Sequence, residues 1–264
     1  MTDEPHLSAP RSLSGRCALV TGGGSGIGRA TSLALHALGA DVAVADIALE
    51  PARETAALLA EAGGGGASLA LAADVRCEES VASMTREVVE RFGRIDVLVH
   101  SAAILRARGS GPKVLSDISA EEMNEVIDTN LKGTFLCNRA VLGVMLPQGA
   151  GQIVNISSTS GLKGRPMDSV YSASKFGVVG LTESLAEEVR PSGVRVQLVI
   201  PDAVATPMWD QNGALPAPPG ALPPERVAQL ICDLVCLPGD AVLQNVVIAP
   251  FRSRRRRKKK PQKE

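Results

Sequence analysis

The stretch T-G-G-G-S-G-I-G, residues 21–28, decides the fold of this 264-residue chain. It follows the apolar run C-A-L-V and precedes residues 29–38, which are rich in Ala and Leu like a helix. A strand, a glycine turn and a helix in this order leave unpaired N–H groups at the helix start, where a diphosphate binds. We therefore predict a dinucleotide site that uses Gly22, Gly26 and Gly28.

The turn has two other interpretations. A nucleoside triphosphate P-loop needs Lys and then Ser or Thr after the last glycine, whereas Arg29 and Ala30 follow Gly28. A tight turn with a purely structural role is the second, and the glycines alone leave it open.

Asp46 favours the dinucleotide interpretation. It directly follows a second apolar run at residues 41–45, where a carboxylate accepts hydrogen bonds from both ribose hydroxyls. The same carboxylate repels a 2′-phosphate, so we expect NAD, with NADP disfavoured.

Apolar runs alternate with helical stretches along the rest of the chain. Strands are predicted at 17–20, 41–45, 68–72, 95–99, 152–156, 195–200 and 242–248, and helices at 29–38, 51–62, 79–92, 120–146, 170–190 and 224–237. This alternation predicts an α/β fold with a doubly wound parallel sheet, the Rossmann fold, in a single domain. The predicted domain covers residues 14–250, between a flexible N-terminal arm at 1–13 and a disordered polybasic tail at 251–264.

The composition is that of a globular enzyme, with 45% hydrophobic residues and 26 glycines. No apolar run approaches the length of a transmembrane segment, and the first residues, M-T-D-E-P-H, are unlike a signal peptide. Five cysteines with no C-x-x-C pair suggest reduced thiols. We expect a cytoplasmic protein without a metal site.

The charge is unevenly distributed. The chain has 28 basic and 28 acidic residues, and residues 252–264 hold nine of the basic and one of the acidic ones. The rest of the chain therefore has 19 basic and 27 acidic residues. Such a tail is expected to be disordered and to contact an acidic surface. Nucleic acid, an acidic membrane and the acidic body of the protein itself all remain possible partners.

Residues 206–224 interrupt the alternation, with six prolines between 207 and 224. We predict neither helix nor central strand there. The segment follows the carboxyl end of a strand, where doubly wound folds bind ligands, so it is expected to cover a substrate, the alternative being an irregular connector. The basic insertion at 106–113 is expected beside the substrate entrance, either in contact with substrate or solvated.

The only tyrosine, Tyr171, stands four residues before Lys175. Residues at this spacing share a helix face, and a neighbouring ammonium lowers the pKa of a phenol. Tyr171 can then move a proton to or from a substrate oxygen while a nicotinamide moves the hydride. Ser158, after the fifth strand, is expected to hold that oxygen, although Ser157 beside it is an alternative.

Together these residues resemble the short-chain dehydrogenase/reductase family. The matching motifs are T-G-G-G-S-G-I-G, D-V at 74–75, T-N-L-K-G-T-F from 129, I-S-S from 156, Y-S-A-S-K from 171 and T-P-M from 206. They occur in the family's order over residues 14–250.

The resemblance implies a role for each matching residue. The catalytic set is Ser158, Tyr171, Lys175 and Asn130, the last holding a water of the proton relay through its backbone, although a bridging role for Asn130 is an alternative. The cofactor set is Gly22, Ser25, Gly26, Ile27, Gly28, Asp46, Asp74, Val75, Ala102, Tyr171, Lys175 and Thr206. Asp74 and Val75 contact adenine in this assignment, and the resemblance also implies a homodimer or homotetramer that pairs the helices at 120–146 and 170–190.

Two segments depart from the family pattern. His100–Ala103 reads H-S-A-A instead of N-N-A-G, and we expect His100 to have a structural role. Asp202 replaces a glycine and is expected to keep a left-handed backbone and to disfavour anionic substrates.

The leading hypothesis is an oxidoreductase that transfers hydride between NAD(H) and a secondary alcohol or ketone. An NADPH-dependent carbonyl reductase of the ketoacyl type and a dinucleotide-binding protein without catalysis are the alternatives.

Overall fold

A computed structural model describes residues 12–63, 65–213 and 216–251. Most of the predicted N-terminal arm and nearly all of the predicted basic tail lie outside these ranges. Leu13, assigned to the arm, is buried, and its backbone N–H donates to the carbonyl of Leu38 at 2.7 Å. The packed chain therefore includes at least this residue of the predicted arm.

Strands and helices alternate along the chain as the pattern of apolar runs predicts. The strands are β1 (Cys17–Thr21), β2 (Asp41–Asp46), β3 (Ser68–Ala72), β4 (Val97–His100), β5 (Gly151–Ile156), β6 (Val194–Pro201) and β7 (Val246–Ile248). The α-helices are α1 (Gly26–Ala37), α2 (Leu49–Ala62), α3 (Glu78–Phe92), α4 (Ala120–Ile127), α5 (Gly133–Gln148), α6 (Ser169–Val189) and α7 (Pro224–Val235).

The seven strands form one parallel sheet in the order β3-β2-β1-β4-β5-β6-β7. The order reverses between β1 and β4, where the loops after these strands separate and open a crevice at their carboxyl ends. The prediction of a doubly wound parallel sheet in a Rossmann fold is confirmed.

Helices cover both faces of the sheet. One apolar cluster joins the sheet to α3, α5 and α6, and the other joins it to α1, α2 and α7. The central strands β1, β4, β5 and β6 are buried over nearly their whole length, as expected for a parallel sheet covered on both sides, whereas the edge strands β3 and β7 are only partly buried.

One predicted helix is divided in the structure. Residues 120–146 form α4 and α5, which are separated by the π-helical turn Asp128–Lys132. The hydroxyl of Thr134 donates to the carbonyl of Asn130 at 2.6 Å, a side-chain bond inside the helical backbone ladder. A π-helical turn is a local change of one turn inside a longer helix, so the apolar periodicity of the whole segment still predicts one continuous helix.

The proline-rich segment contains more regular structure than predicted. Pro207–Asn212 form a 3₁₀ helix, so the prediction that 206–224 contains no helix is wrong. Pro207 stands at the first position, where a missing N–H leaves no hydrogen bond unmade. The last strand, predicted over 242–248, is limited to Val246–Ile248.

No helix in the described ranges has the length and apolar character that crossing a membrane requires.

Candidate active site

The glycine turn is packed too tightly for side chains. A Cβ on Gly28 would lie 2.1 Å from the Gly22 carbonyl oxygen, and one on Gly22 would lie 2.8 Å from the Ala102 Cα. Gly22 also has a φ of +64°, which favours glycine. The turn can therefore bring its backbone close to a ligand at the start of α1, where no capping bond from the Ser25 side chain occupies the N–H groups within the described chain.

Asp46 lies at the edge of the same turn. Its Oδ2 accepts a hydrogen bond from the Gly24 N–H at 3.0 Å, and its Oδ1 accepts one from the Ala48 N–H at 3.2 Å. These bonds fix the carboxylate at the end of β2, where it lines the cleft described below.

Asp74 has a partner that the sequence did not suggest. The guanidinium of Arg76 binds its carboxylate through Nε at 2.9 Å and Nη2 at 2.7 Å, which holds the pKa of Asp74 below its usual range. Arg76 lines the cleft beside Val75 and directly follows the D-V motif. The position of Arg76 directly after this motif is the only hint in the sequence of a role at the cleft. It does not show where the flexible arginine side chain points.

Tyr171, Ser158 and Lys175 meet at the other end of the cleft. The Ser158 hydroxyl hydrogen-bonds with the Tyr171 hydroxyl and also accepts a bond from the Ser160 N–H at 3.1 Å. Lys175 Nζ lies 5.7 Å from the centroid of the Tyr171 ring. Ser157 is turned away, because its hydroxyl donates to the Lys175 carbonyl at 2.9 Å, so Ser158 is the serine that reaches Tyr171.

The expected lowering of the Tyr171 pKa by Lys175 does not occur in the chain alone. Burial raises the pKa of Tyr171 to about 12, against a lowering contribution from Ser158. Lys175 Nζ donates to the Ile156 carbonyl at 3.0 Å instead of to the phenol oxygen, and burial lowers its own pKa to about 8. Desolvation therefore outweighs the nearby ammonium, and Tyr171 keeps its proton at neutral pH.

Asn130 and Thr206 support the cleft from two sides. The side chain of Asn130 accepts from the Ile104 N–H at 2.8 Å and donates to the Ile104 carbonyl at 2.8 Å and to Ser174 at 3.0 Å. Asn130 thus ties the loop after β4 to α6. Thr206 lies against the glycine turn, since a Cβ on Gly26 would lie 3.1 Å from its Cβ.

His100 is a buried neutral side chain. Its Nδ1 lies 2.9 Å from the Thr21 hydroxyl, and burial together with the charge of Lys175 lowers its pKa to about 3. The imidazole joins adjacent strands β4 and β1, which agrees with the expected structural role.

Asp202 does not adopt the expected left-handed backbone, which among non-glycine residues of the described ranges occurs at Met167 and Asn245. Its N–H donates to the carbonyl of Ile248, the last residue of β7, at 2.9 Å. The carboxylate accepts from the Thr159 hydroxyl at 3.0 Å and lies 3.7 Å from Arg165, so a cation offsets its charge.

One cleft of about 1420 Å³ connects these groups. Asn130 and Gly28 stand behind its wall, and all the other predicted site residues line it: Gly22, Ser25, Gly26, Ile27, Asp46, Asp74, Val75, Ala102, Ser158, Tyr171, Lys175 and Thr206. The glycine cradle, the helix start and the carboxylate at the end of β2 fit a dinucleotide that extends toward Tyr171. Arg106 and Gln211 also line the cleft. No motif in the sequence indicates a role for Gln211.

Comparisons with known proteins agree with this geometry. Residues 16–215 match the short chain dehydrogenase family. The chain is 39% identical over 204 residues to 3-oxoacyl-[acyl-carrier-protein] reductase of Synechocystis sp., which covers 77% of this chain and 80% of that protein. It is 38% identical over 197 residues to levodione reductase of Leifsonia aquatica, covering 75% of this chain and 72% of that protein.

A solved structure is similar over nearly the whole described chain. The crystal structure of a metagenomic short-chain oxidoreductase in complex with NADP superposes with a TM-score of 0.77 at 32% identity, covering 91% of this chain and 99% of that one. The chain is therefore an NAD(P)-binding oxidoreductase that acts on CH–OH groups. It belongs to the short-chain dehydrogenase/reductase family.

Proposed function

We propose that the protein transfers hydride between NAD(H) and an uncharged secondary alcohol or ketone, with Tyr171 as the general acid and base. The observation that carries this proposal is the hydrogen-bonded pair of Ser158 and Tyr171 at one end of a cleft whose other end is Asp46. A substrate oxygen between the two hydroxyls lies within reach of the proton donor and of a second hydrogen bond.

Each catalytic residue has one task at the substrate oxygen. Tyr171 gives its proton to the oxygen during ketone reduction and takes a proton from it during alcohol oxidation. Ser158 holds the oxygen in place, and Lys175 keeps a positive charge near the phenol. A bound nicotinamide accepts or supplies the hydride, and its oxidised ring adds positive charge that favours the phenolate.

The preference for NAD is part of this proposal and rests on Asp46. Its carboxylate is fixed by two backbone N–H groups and followed by Ile47 and Ala48, neither of which carries a positive charge. A 2′-phosphate would meet this carboxylate without a cation from that segment to offset the repulsion.

The test measures NADH formation with cyclohexanol, menthol and sorbitol. In Tyr171→Phe, which keeps the ring and removes the proton carrier, kcat should fall about 100- to 10,000-fold. The Kd of NAD⁺, measured by calorimetry, should stay within a factor of about two, because only one hydroxyl of the many groups assigned to the cofactor is removed. Equal turnover in the variant and the wild type would refute the role of Tyr171.

The cofactor preference is tested separately. Asp46→Asn keeps the shape of the side chain and removes its charge, so the ratio of kcat/KM for NAD⁺ over NADP⁺ should fall about tenfold. Glu54→Gln, an exposed carboxylate on α2, is the matched control. A wild-type enzyme that prefers NADP⁺ would contradict the assignment of Asp46.

An NADPH-dependent reductase of the ketoacyl type is the second candidate. Similarity to the Synechocystis 3-oxoacyl reductase and to a structure bound to NADP favours it. Turnover of acetoacetyl-CoA with NADPH above that of every alcohol with NAD⁺ would select it.

We also propose that the protein is cytoplasmic and forms a homodimer or homotetramer. Apolar side chains that remain exposed on α4, α5 and α6 support the assembly: Met123, Phe135, Leu146 and Phe176. The basic tail is proposed to contact an acidic surface, for which the excess of acidic residues in the rest of the chain is one candidate.

A further inference from the structure

Arg106 joins three segments at the mouth of the cleft. Its Nη2 pairs with Asp168 Oδ1 at 2.6 Å, its Nη1 donates to the Met167 carbonyl at 2.7 Å, and its Nε donates to Asn212 Oδ1 at 2.8 Å. The side chain is only 11% exposed, although it belongs to the loop after β4. A solvated arginine does not have this geometry.

The partners of Arg106 belong to two segments that line the cleft. Asn212 ends the 3₁₀ helix Pro207–Asn212 of the proline-rich segment, and Asp168 is the residue immediately before α6, three residues before Tyr171. Met167 has a φ of +62°, unusual for a side chain other than glycine, and its carbonyl accepts from the guanidinium. Arg106 therefore joins the segment above the cleft to the helix that carries the proton donor.

Gln211 adds a second connection between the 3₁₀ helix and the loop after β4. Its side-chain oxygen accepts from the Leu105 N–H at 2.8 Å and from the Arg106 N–H at 3.0 Å. The other side of the 3₁₀ helix is anchored as well, since the Trp209 indole donates to the Val204 carbonyl at 2.8 Å. The helix is thus held at more than one point, and Arg106 and Gln211 make its connections to the loop after β4.

The charges at this end of the cleft are paired within the chain. Asp168 contributes a negative charge that raises the pKa of Tyr171, and Arg106 offsets this charge. Arg165 is near Asp202 in the same way. With its guanidinium engaged by three protein oxygens, Arg106 serves the shape of the cleft in place of binding an anionic substrate.

We propose that Arg106 is a specificity-determining positioning residue that clamps the 3₁₀ helix Pro207–Asn212 to the start of α6 and so sets the width of the substrate end of the cleft. What this proposal says about substrates rests on the function proposed above. The clamp itself is a property of the chain and can be measured without turnover.

The first test is hydrogen exchange on the full chain, followed by mass spectrometry of peptides covering 104–107 and 207–213. Arg106→Lys keeps the charge but loses the planar fork that reaches three oxygens. Gln211→Ala removes the acceptor of two N–H groups. Both variants should increase exchange in the two peptides, whereas Arg108→Ala, an exposed arginine of the same loop, should not.

The second test separates substrate from cofactor. In Arg106→Lys, KM for cyclohexanol should rise about tenfold, because a cleft that is no longer held in shape positions the substrate less well, while KM for NAD⁺ changes less than about twofold. The kcat/KM preference between cyclohexanol and the bulkier menthol should shrink in the same variant, because a wider cleft discriminates less between them.

Equal exchange at 207–213 in the wild type and Arg106→Lys would overturn the clamp. A rise of both KM values together would show general loosening and would overturn the role in specificity. If neither the wild type nor any variant oxidises an alcohol, the proposed function fails, and the exchange data still decide whether Arg106 holds the segment.

Discussion

The pKa of Tyr171 is subject to opposing effects from burial and from its neighbour Ser158. Burial raises its pKa to about 12, and Ser158 lowers it only in part. In the cofactor-free chain the residue is therefore a proton donor, the form that ketone reduction needs, whereas alcohol oxidation needs the phenolate. In the proposed mechanism, the rate in each direction depends on the fraction of Tyr171 that is ionised.

This dependence predicts the pH profile. Alcohol oxidation, measured as kcat/KM, should rise with pH from about 7 to about 10, while ketone reduction should stay level or fall over the same range. Ser158→Ala removes the hydrogen bond that lowers the pKa and should shift the oxidation profile to higher pH. An oxidation rate that is independent of pH in the wild type would speak against Tyr171 as the base.

His100 predicts a second pH effect, on stability. Its pKa is lowered to about 3 in the folded chain against 6.5 for an ordinary histidine, so it binds fewer protons in the folded state than in the unfolded state between these values. Its contribution to stability is present above pH 6.5 and is lost as the pH falls toward 3.

Urea unfolding should therefore show a loss of stability from pH 6.5 downward that is smaller in His100→Asn, which cannot be protonated. His36→Asn, which replaces the other buried histidine of the described residues, is measured alongside as a control for the substitution itself. Identical pH dependence in the wild type and His100→Asn would show that other groups cause the acid sensitivity.

At the level of elements, replacing a glycine by alanine is expected to lower the free energy of unfolding in the glycine turn and to raise it in α5. Gly28→Ala places a Cβ 2.1 Å from the Gly22 carbonyl oxygen, so the turn must open. We expect a loss of about 1–3 kcal/mol in the free energy of unfolding and weaker NAD⁺ binding, measured by urea unfolding and calorimetry.

Gly143→Ala is the matched control. Gly143 is an exposed glycine inside α5 with open space around its Cβ position, so alanine should stabilise the helix by about 0.5–1 kcal/mol. Similar effects of the two substitutions would mean that the contacts of the glycine turn do not decide its conformation.

The π-helical turn Asp128–Lys132 leads to another prediction. Asn130→Ala leaves the N–H and carbonyl of Ile104 without their side-chain partner, and the free energy of unfolding should fall by about 1–3 kcal/mol. Asn124→Ala, at an exposed site on α4, should change it by less than about 0.5 kcal/mol. Equal effects would remove the bracing role from Asn130.

At the level of the whole molecule, apolar side chains on α4, α5 and α6 remain exposed in the single chain. Phe135 and Phe176 are 43% and 47% exposed. Light scattering should give a mass of two or four times that of the chain, and Phe135→Ser with Phe176→Ser should lower it. A monomeric wild type would contradict the proposed assembly.

The sequence by itself determined the order of elements, the parallel sheet and the residues that meet in the cleft. Strand and helix periodicity, glycines at 22, 26 and 28, and Tyr171 four residues before Lys175 are local patterns, and local patterns carry over directly into local structure. The cleft then follows because parallel strands bring their carboxyl ends to one edge of the sheet.

Only the tertiary structure decided the direction of the Tyr171 pKa, the π-helical turn, the backbone of Asp202 outside the left-handed region and the clamp made by Arg106. Each depends on groups far apart in the chain: the clamp joins residue 106 to residues 168 and 212. Burial and long-range hydrogen bonds arise only when the chain has packed, so no spacing of residues along the sequence contains them.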